Sequence, residues 1–140
     1  MPGLRPFHLA IPVSDLEHAR QFYSGKLGCT TGRESERWVD YHFFGHQLVT
    51  HLDLSSSAKP VDNPVDGDQV PARHFGIILK PTDWNKLVDK LKISNTKFLI
   101  KPKTRFKGKA GEQSTFFILD PSGNALEFKS FKDDSVIFRK

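Results

Sequence analysis

Arg5-Pro6-Phe7-His8-Leu9-Ala10-Ile11-Pro12, running on into Ser14-Asp15-Leu16-Glu17, is the stretch on which the reading of this chain turns. Phe7, Leu9 and Ile11 alternate with His8 and Ala10, the period-two pattern of a half-buried strand over Arg5 to Pro12. Ser14 stands three residues before Glu17, the S-x-x-E spacing of a capping box. Leu16, Ala19, Phe22, Tyr23 and Leu27 then recur at helical spacing, and Gly28 stops the run. Further along, His74-Phe75-Gly76-Ile77 opens a second strand, over Ala72 to Leu79. It leads into a helix from Thr82 that carries Trp84, Leu87, Val88 and Leu91. A strand bearing a histidine and running into a helix therefore occurs twice, which is the signature of an internal repeat.

The segments after the two helices repeat as well. Strands fit Cys29 to Glu36, Trp38 to Phe44 and Gln47 to Leu52, with Gly45-His46 as a tight turn. After the second helix they fit Lys97 to Lys101, Glu112 to Leu119 and Asn124 to Phe131, with Asp120-Pro121-Ser122-Gly123 as the last turn. Between the halves, Ser55-Ser56-Ser57, Pro60, Pro64 and Gly67 mark residues 53–71 as a polar connector. The expected fold is α+β: two βαβββ modules, 5–52 and 72–131, forming a cupped mixed sheet within a single domain. The first and last strands of each module lie side by side. Val49-Thr50-His51-Leu52 aligns with Ala125-Leu126-Glu127-Phe128 at the ends of the two halves.

Composition excludes several classes. With 140 residues, 37% hydrophobic and 12 Phe, the chain supports a core without staples, and 26% charged residues are ordinary for a globular protein. No apolar run is long enough to span a bilayer, and the amino terminus lacks a signal-peptide core, so a cytoplasmic protein with no membrane partner is expected. A single cysteine, Cys29, excludes an internal disulfide framework and a cysteine-built zinc site. It also has no basic neighbour to activate it. The net charge of +5 suits a small anionic partner. Part of it is concentrated in Lys97, Lys101, Lys103, Arg105, Lys107 and Lys109, with no acid until Glu112. This segment reads as a solvated basic loop, or as a flap drawing a carboxylate or phosphate substrate through Lys101, Lys103 and Arg105. Nucleic acid is not expected, since only Phe98 and Phe106 interleave the charges.

Six histidines remain as transition-metal anchors. His8 and His74 on the first strands, and His51 and Glu127 on the last, are polar side chains among apolar neighbours, where an unpaired polar group is costly to bury. One divalent ion satisfies all four, and the donor set suits iron(II), zinc, manganese, nickel or cobalt. His8, His74 and Glu127 alone make a two-histidine, one-carboxylate face; His51 adds a fourth ligand. An octahedral ion keeps at least two open positions either way. The competing reading makes each histidine a hydrogen-bonded core or surface residue. His42 and His46 belong to the turn and its strands, His18 to an exposed helix face. A one-residue slip would bring His46 or Thr50 to the site face in place of His51.

The stretch Phe7 to Leu16, followed by Ala19-Arg20-Gln21-Phe22-Tyr23 and Leu27-Gly28, resembles the opening module of the vicinal oxygen chelate superfamily. Arg73-His74-Phe75-Gly76 and Phe117-Ile118-Leu119-Asp120-Pro121-Ser122-Gly123-Asn124-Ala125-Leu126-Glu127-Phe128 are similar to its second module. The superfamily includes glyoxalase I, extradiol dioxygenases, bleomycin and fosfomycin resistance proteins and methylmalonyl-CoA epimerase. The resemblance implies paired βαβββ modules around one divalent ion, with His8, His74 and Glu127 as ligands and His51 at the usual fourth position. It also implies a homodimer, and an enzyme that holds a small anionic substrate through vicinal oxygens in lyase, isomerase or dioxygenase chemistry, with Glu127 able to move protons. Phe117 stands where ring-cleaving members place a tyrosine, and His51 where glyoxalase I places a glutamate. The alternative is a non-catalytic protein of the bleomycin-resistance type that sequesters a small ligand.

Overall fold

The structure, a computed structural model, describes residues 3–56, 62–65 and 67–140. The chain forms two compact units, Met1–Ala58 with Asp120–Asn124, and Lys59–Leu119 with Ala125–Lys140. In the first, the alternation of the opening stretch becomes strand β1 (His8–Val13). Leu9, Ile11 and Val13 face inward, while His8, Ala10 and Pro12 are exposed. Helix α1 (Leu16–Arg20) comes next, but its cap is Asp15, whose carboxylate accepts from the His18 N–H at 2.8 Å. The expected Ser14–Glu17 box does not form. The Ser14 N–H donates instead to Ser122 Oγ at 2.9 Å, which holds Ser14 off the helix end. After Arg20 the helix widens into a π-helical segment, Gln21–Lys26, in which the consecutive Phe22 and Tyr23 are both buried.

Strands β2 (Thr30–Glu34), β3 (Trp38–Phe43) and β4 (His46–Leu52) complete a sheet of order β1-β4-β3-β2. The turn between β3 and β4 falls at Phe44 and Gly45, one residue earlier than expected. Their φ values of 50° and 91° suit a two-residue hairpin turn, so His46 joins the strand. The same unit takes in the turn Asp120–Asn124. The buried Asp120 carboxylate accepts from the Tyr23 hydroxyl at 2.8 Å, from the Ser122 and Asn124 N–H groups at 2.9 and 2.8 Å, and from Asn124 Nδ2 at 2.9 Å. Asn124 Nδ2 also donates to the Pro12 carbonyl at 2.9 Å. The Asp-Pro-Ser-Gly-Asn turn is thus bonded to the end of β1 and to the π-helical segment.

The second unit holds a hairpin, β5 (Asp62–Val65) and β6 (Asp68–Pro71), inside the stretch expected to be a connector. Its prolines hid it, although Pro64 and Pro71 are accommodated within its two short strands. Ser57 and Pro60, two of the connector's markers, lie outside the described residues. Strand β7 (Phe75–Leu79), helix α2 (Pro81–Ile93), β8 (Phe98–Arg105), β9 (Gln113–Leu119) and β10 (Ala125–Ser130) complete the unit, with sheet order β7-β10-β9-β8. Pro81 occupies the first turn of α2, where its missing N–H costs nothing, so the helix starts before Thr82. Trp84, Leu87, Val88 and Leu91 are its buried face. Trp84 Nε1 donates to the Phe128 carbonyl at 2.9 Å, and Phe116 and Phe128 stack at 5.2 Å. The basic segment is a strand rather than a loop as far as Arg105. Asp68 takes Lys103 Nζ and Arg105 Nη2, each at 2.9 Å, and Arg105 Nη1 donates to the Val65 carbonyl at 2.7 Å.

The Tyr23–Asp120 bond is buried at both ends, so its loss is measurable. Tyr23→Phe is expected to lower unfolding free energy by about 1.5–3 kcal/mol, the usual worth of a hydrogen bond to a charged group. Urea denaturation checks this, and an unchanged midpoint would show that the bond contributes nothing.

Candidate metal centre

Glu127 sits in the middle of β10 and is 8% exposed. Its neighbours across the sheet are Phe117 on β9 and Gly76 on β7. A Cβ at Gly76 would collide with the Glu127 carbonyl group, so only glycine permits β7 to approach β10 this closely. His74 precedes β7 by one residue and comes three residues after the end of β6, and there its ring meets the carboxylate. His74 Nε2 lies 3.1 Å from Glu127 Oε1, and the Phe117 ring packs against the imidazole at 5.0 Å. A cleft of about 200 Å³ lined by His74, Gly76, Ile77, Ile78, Glu127 and Lys129 opens onto the pair.

The protons on this pair are constrained. His74 Nδ1 is 2.6 Å from the Pro71 carbonyl, an oxygen that only accepts, so Nδ1 carries a hydrogen. Thr115 Oγ1 donates to Glu127 Oε2 at 2.5 Å, which leaves Oε1 facing His74. A neutral imidazole would then oppose its lone pair at Nε2 to a carboxylate oxygen. A cation between them removes the conflict: a proton, giving an imidazolium–carboxylate pair, or a metal ion. The hydrogen bond to Glu127 raises the His74 pKa above its ordinary value, against burial. Burial pushes Glu127 up, but hydrogen bonds from His74 and Thr115, with the charge of Lys129, outweigh it and hold the carboxyl below its ordinary value. A histidine nitrogen oriented by a carbonyl and a carboxylate oriented by a hydroxyl fit two positions of a divalent metal site.

The other expected ligands lie in the first unit. His8 is exposed on β1, with Nδ1 2.7 Å from the Gln47 amide oxygen. Gln47 is its register partner on β4, and the parallel pairing continues through Ala10 with Val49 and Pro12 with His51. In the second sheet Gly76 pairs with Glu127, so Val49 holds the place corresponding to Glu127 and His51 that of Lys129. The expected repeat alignment is therefore displaced by two residues. His51 lies four residues along β4 from the partner of His8, about 13 Å at the strand rise, too far for both imidazoles to meet one ion comfortably. Among the described residues no group of three or more metal-ligating side chains comes together. His46 accepts from the Phe7 N–H at Nδ1, 2.8 Å away, and His42 is exposed on β3.

The expected anion-binding residues are placed differently from one another. Lys103 and Arg105 are paired with Asp68, and Arg105 is 2% exposed; Lys101 is exposed on β8. Lys129, which sequence reasoning passed over, lines the cleft with Nζ 3.8 Å from Glu127 Oε1. Its position two residues after Glu127 on an alternating strand was the signal that placed it on the same face.

Gly76→Ala must push β7 from β10 and is expected to cost about 1–3 kcal/mol or more, read by urea denaturation, with a wild-type midpoint arguing against the close approach. A pH dependence is expected as well. In metal-free protein, His74 adds stability below its ordinary pKa of 6.5, lost as pH rises through its raised folded value. Glu127 adds stability above its ordinary 4.5, lost as pH falls through its lowered folded value. With a chelator present, wild type should therefore exceed Glu127→Gln in melting temperature most clearly between these two values. A difference that grows toward pH 8 would contradict the pairing.

The family model described as the glyoxalase/bleomycin resistance protein/dioxygenase superfamily matches residues 5–128. A glyoxalase/bleomycin resistance protein/dioxygenase from Alicyclobacillus acidocaldarius is 36% identical, with 99% of this chain and 100% of that chain covered and a TM-score of 0.84. A genomically encoded fosfomycin resistance protein from Listeria monocytogenes shares the fold at 12% identity and a TM-score of 0.69, with 99% of each chain covered. A lactoylglutathione lyase from Agrobacterium tumefaciens does so at 15% identity and a TM-score of 0.63, covering 94% of this chain and 97% of that one. No curated protein matches the chain. With the match covering nearly its whole length and both four-stranded sheets in place, the chain belongs to the glyoxalase/bleomycin resistance protein/dioxygenase superfamily.

Proposed function

We propose that this protein is a metal-dependent enzyme that holds a small anionic substrate through two adjacent oxygens, for lyase, isomerase or dioxygenase chemistry. The observation that carries the reading is the facing of His74 Nε2 and Glu127 Oε1 at 3.1 Å, each fixed from behind by a separate hydrogen-bond partner. In this reading His74 and Glu127 are ligands, and His8, from this chain or from the second copy in a homodimer, is the second histidine that the family resemblance implies. His51 is left out because Val49 takes the corresponding place on β4. Two histidines and one carboxylate suit iron(II), zinc, manganese, nickel or cobalt. A divalent ion there supplies Lewis acidity to the oxygens of the bound substrate.

The chain's own groups do the rest. Pro71 and Thr115 hold the two ligands in register, so that little reorganisation accompanies binding. Phe117 packs on the His74 ring and keeps water from that side. Lys129 pairs with the substrate's negative charge once Glu127 is engaged elsewhere; Lys103 and Arg105 are held by Asp68 and serve the hairpin. Glu127 is also the group that would take or return a substrate proton, a role in which Oε1 leaves the ion while Thr115 keeps Oε2 in place. No helix among the described residues is long and apolar enough to cross a membrane. A cytoplasmic homodimer remains part of the proposal.

Elemental analysis after reconstitution, then a metal-by-substrate screen, tests it. One divalent ion per chain is expected. His74→Ala and Glu127→Ala should each weaken zinc or manganese binding by more than about 100-fold. Retained affinity in both would sink the ligand assignment, and a chain that takes up no ion would favour a ligand-sequestering protein instead.

A further inference from the structure

Two histidines, one beside each four-stranded sheet, place Nδ1 against an oxygen that can only accept. For His74 the oxygen is the Pro71 carbonyl, at 2.6 Å; for His8 it is the Gln47 amide oxygen, at 2.7 Å. Gln47 reaches His8 because the two are in-register partners on parallel strands, where side chains of paired residues rise from the same face. A neutral imidazole carries one N–H. When Nδ1 uses it, Nε2 presents a lone pair outward. An unconstrained histidine side chain favours the opposite tautomer, with the hydrogen on Nε2 covering the atom that would meet an ion.

We propose that Gln47 is a positioning residue whose amide oxygen takes the Nδ1 hydrogen of His8 and so presents Nε2 to a divalent ion. The inference rests on the reading of His8 as a ligand. The Pro71 carbonyl acts in the same way on His74, but a backbone oxygen cannot be removed by substitution. Gln47 therefore gives the one side-chain handle on the arrangement. Its place on β4 fits this role. Leu48 and Thr50 point into the core, whereas Gln47 is exposed on the same face as His8, so exchanging it leaves the core packing untouched.

Long-range proton–nitrogen correlation spectra of metal-free, 15N-labelled protein at mildly alkaline pH read the tautomer of His8 directly. In the wild type the hydrogen should sit on Nδ1. Gln47→Leu should move it to Nε2 and weaken zinc binding by about 10–100-fold. Gln47→Glu, which keeps an acceptor oxygen, should retain the wild-type tautomer and bind zinc at least as tightly. A wild-type His8 protonated on Nε2 overturns the proposal, as does a Gln47→Leu protein with unchanged tautomer and affinity. A tautomer that depends on Gln47 in a protein that takes up no zinc instead overturns the ligand reading of His8, and with it this role.

Discussion

The close approach of β7 to β10 at Gly76 is the constraint on which the candidate site depends. Any side chain there would collide with the backbone of Glu127. Without one, the chain brings His74, just before β7, within 3.1 Å of the carboxylate. That contact sets an electrostatic problem, because the Pro71 carbonyl has already claimed the Nδ1 hydrogen and Thr115 has claimed one carboxylate oxygen. Two electron pairs are left aimed at one point. Only a cation resolves that, and a proton and a divalent metal ion compete for the position.

The first unit has the same parallel pairing, β1 with β4, but different residues occupy it. Where β10 carries Glu127, β4 carries Val49, an apolar residue with no lone pair to give. The carboxylate is therefore present once and the histidine twice, each with an oxygen acceptor on Nδ1. The two units differ in support as well. Aromatic packing and a buried hydroxyl surround His74 and Glu127, whereas His8 is exposed with Gln47 beside it.

Much of this was legible in the residues. Period-two alternation located β1, helical spacing located α2, and Asp120-Pro121-Ser122-Gly123 marked its turn, because each signal is local and stems from backbone geometry. The failures came where a distant partner decided the outcome. Ser14 has the spacing of a cap, yet Ser122 holds it and Asp15 caps the helix. Lys103 and Arg105 look like a solvated basic run until Asp68 is brought against them. The two-residue displacement of the repeat had the largest consequence. A shift of two residues keeps every side chain on its own face, so alternation does not separate the two registers, and only the pairing of β1 with β4 shows that Val49, rather than His51, matches Glu127. Gly76 gave no sequence signal of its own beyond interrupting a strand of apolar residues; its necessity is a property of the neighbouring backbone.

On the proposed reading a divalent ion, rather than a proton alone, joins His74 to Glu127. Anomalous diffraction from crystals grown with zinc tests this most directly. One anomalous peak is expected about 2.0–2.2 Å from both His74 Nε2 and a Glu127 carboxylate oxygen. A density map with no peak there, and with the two side chains still hydrogen-bonded to each other, would contradict it.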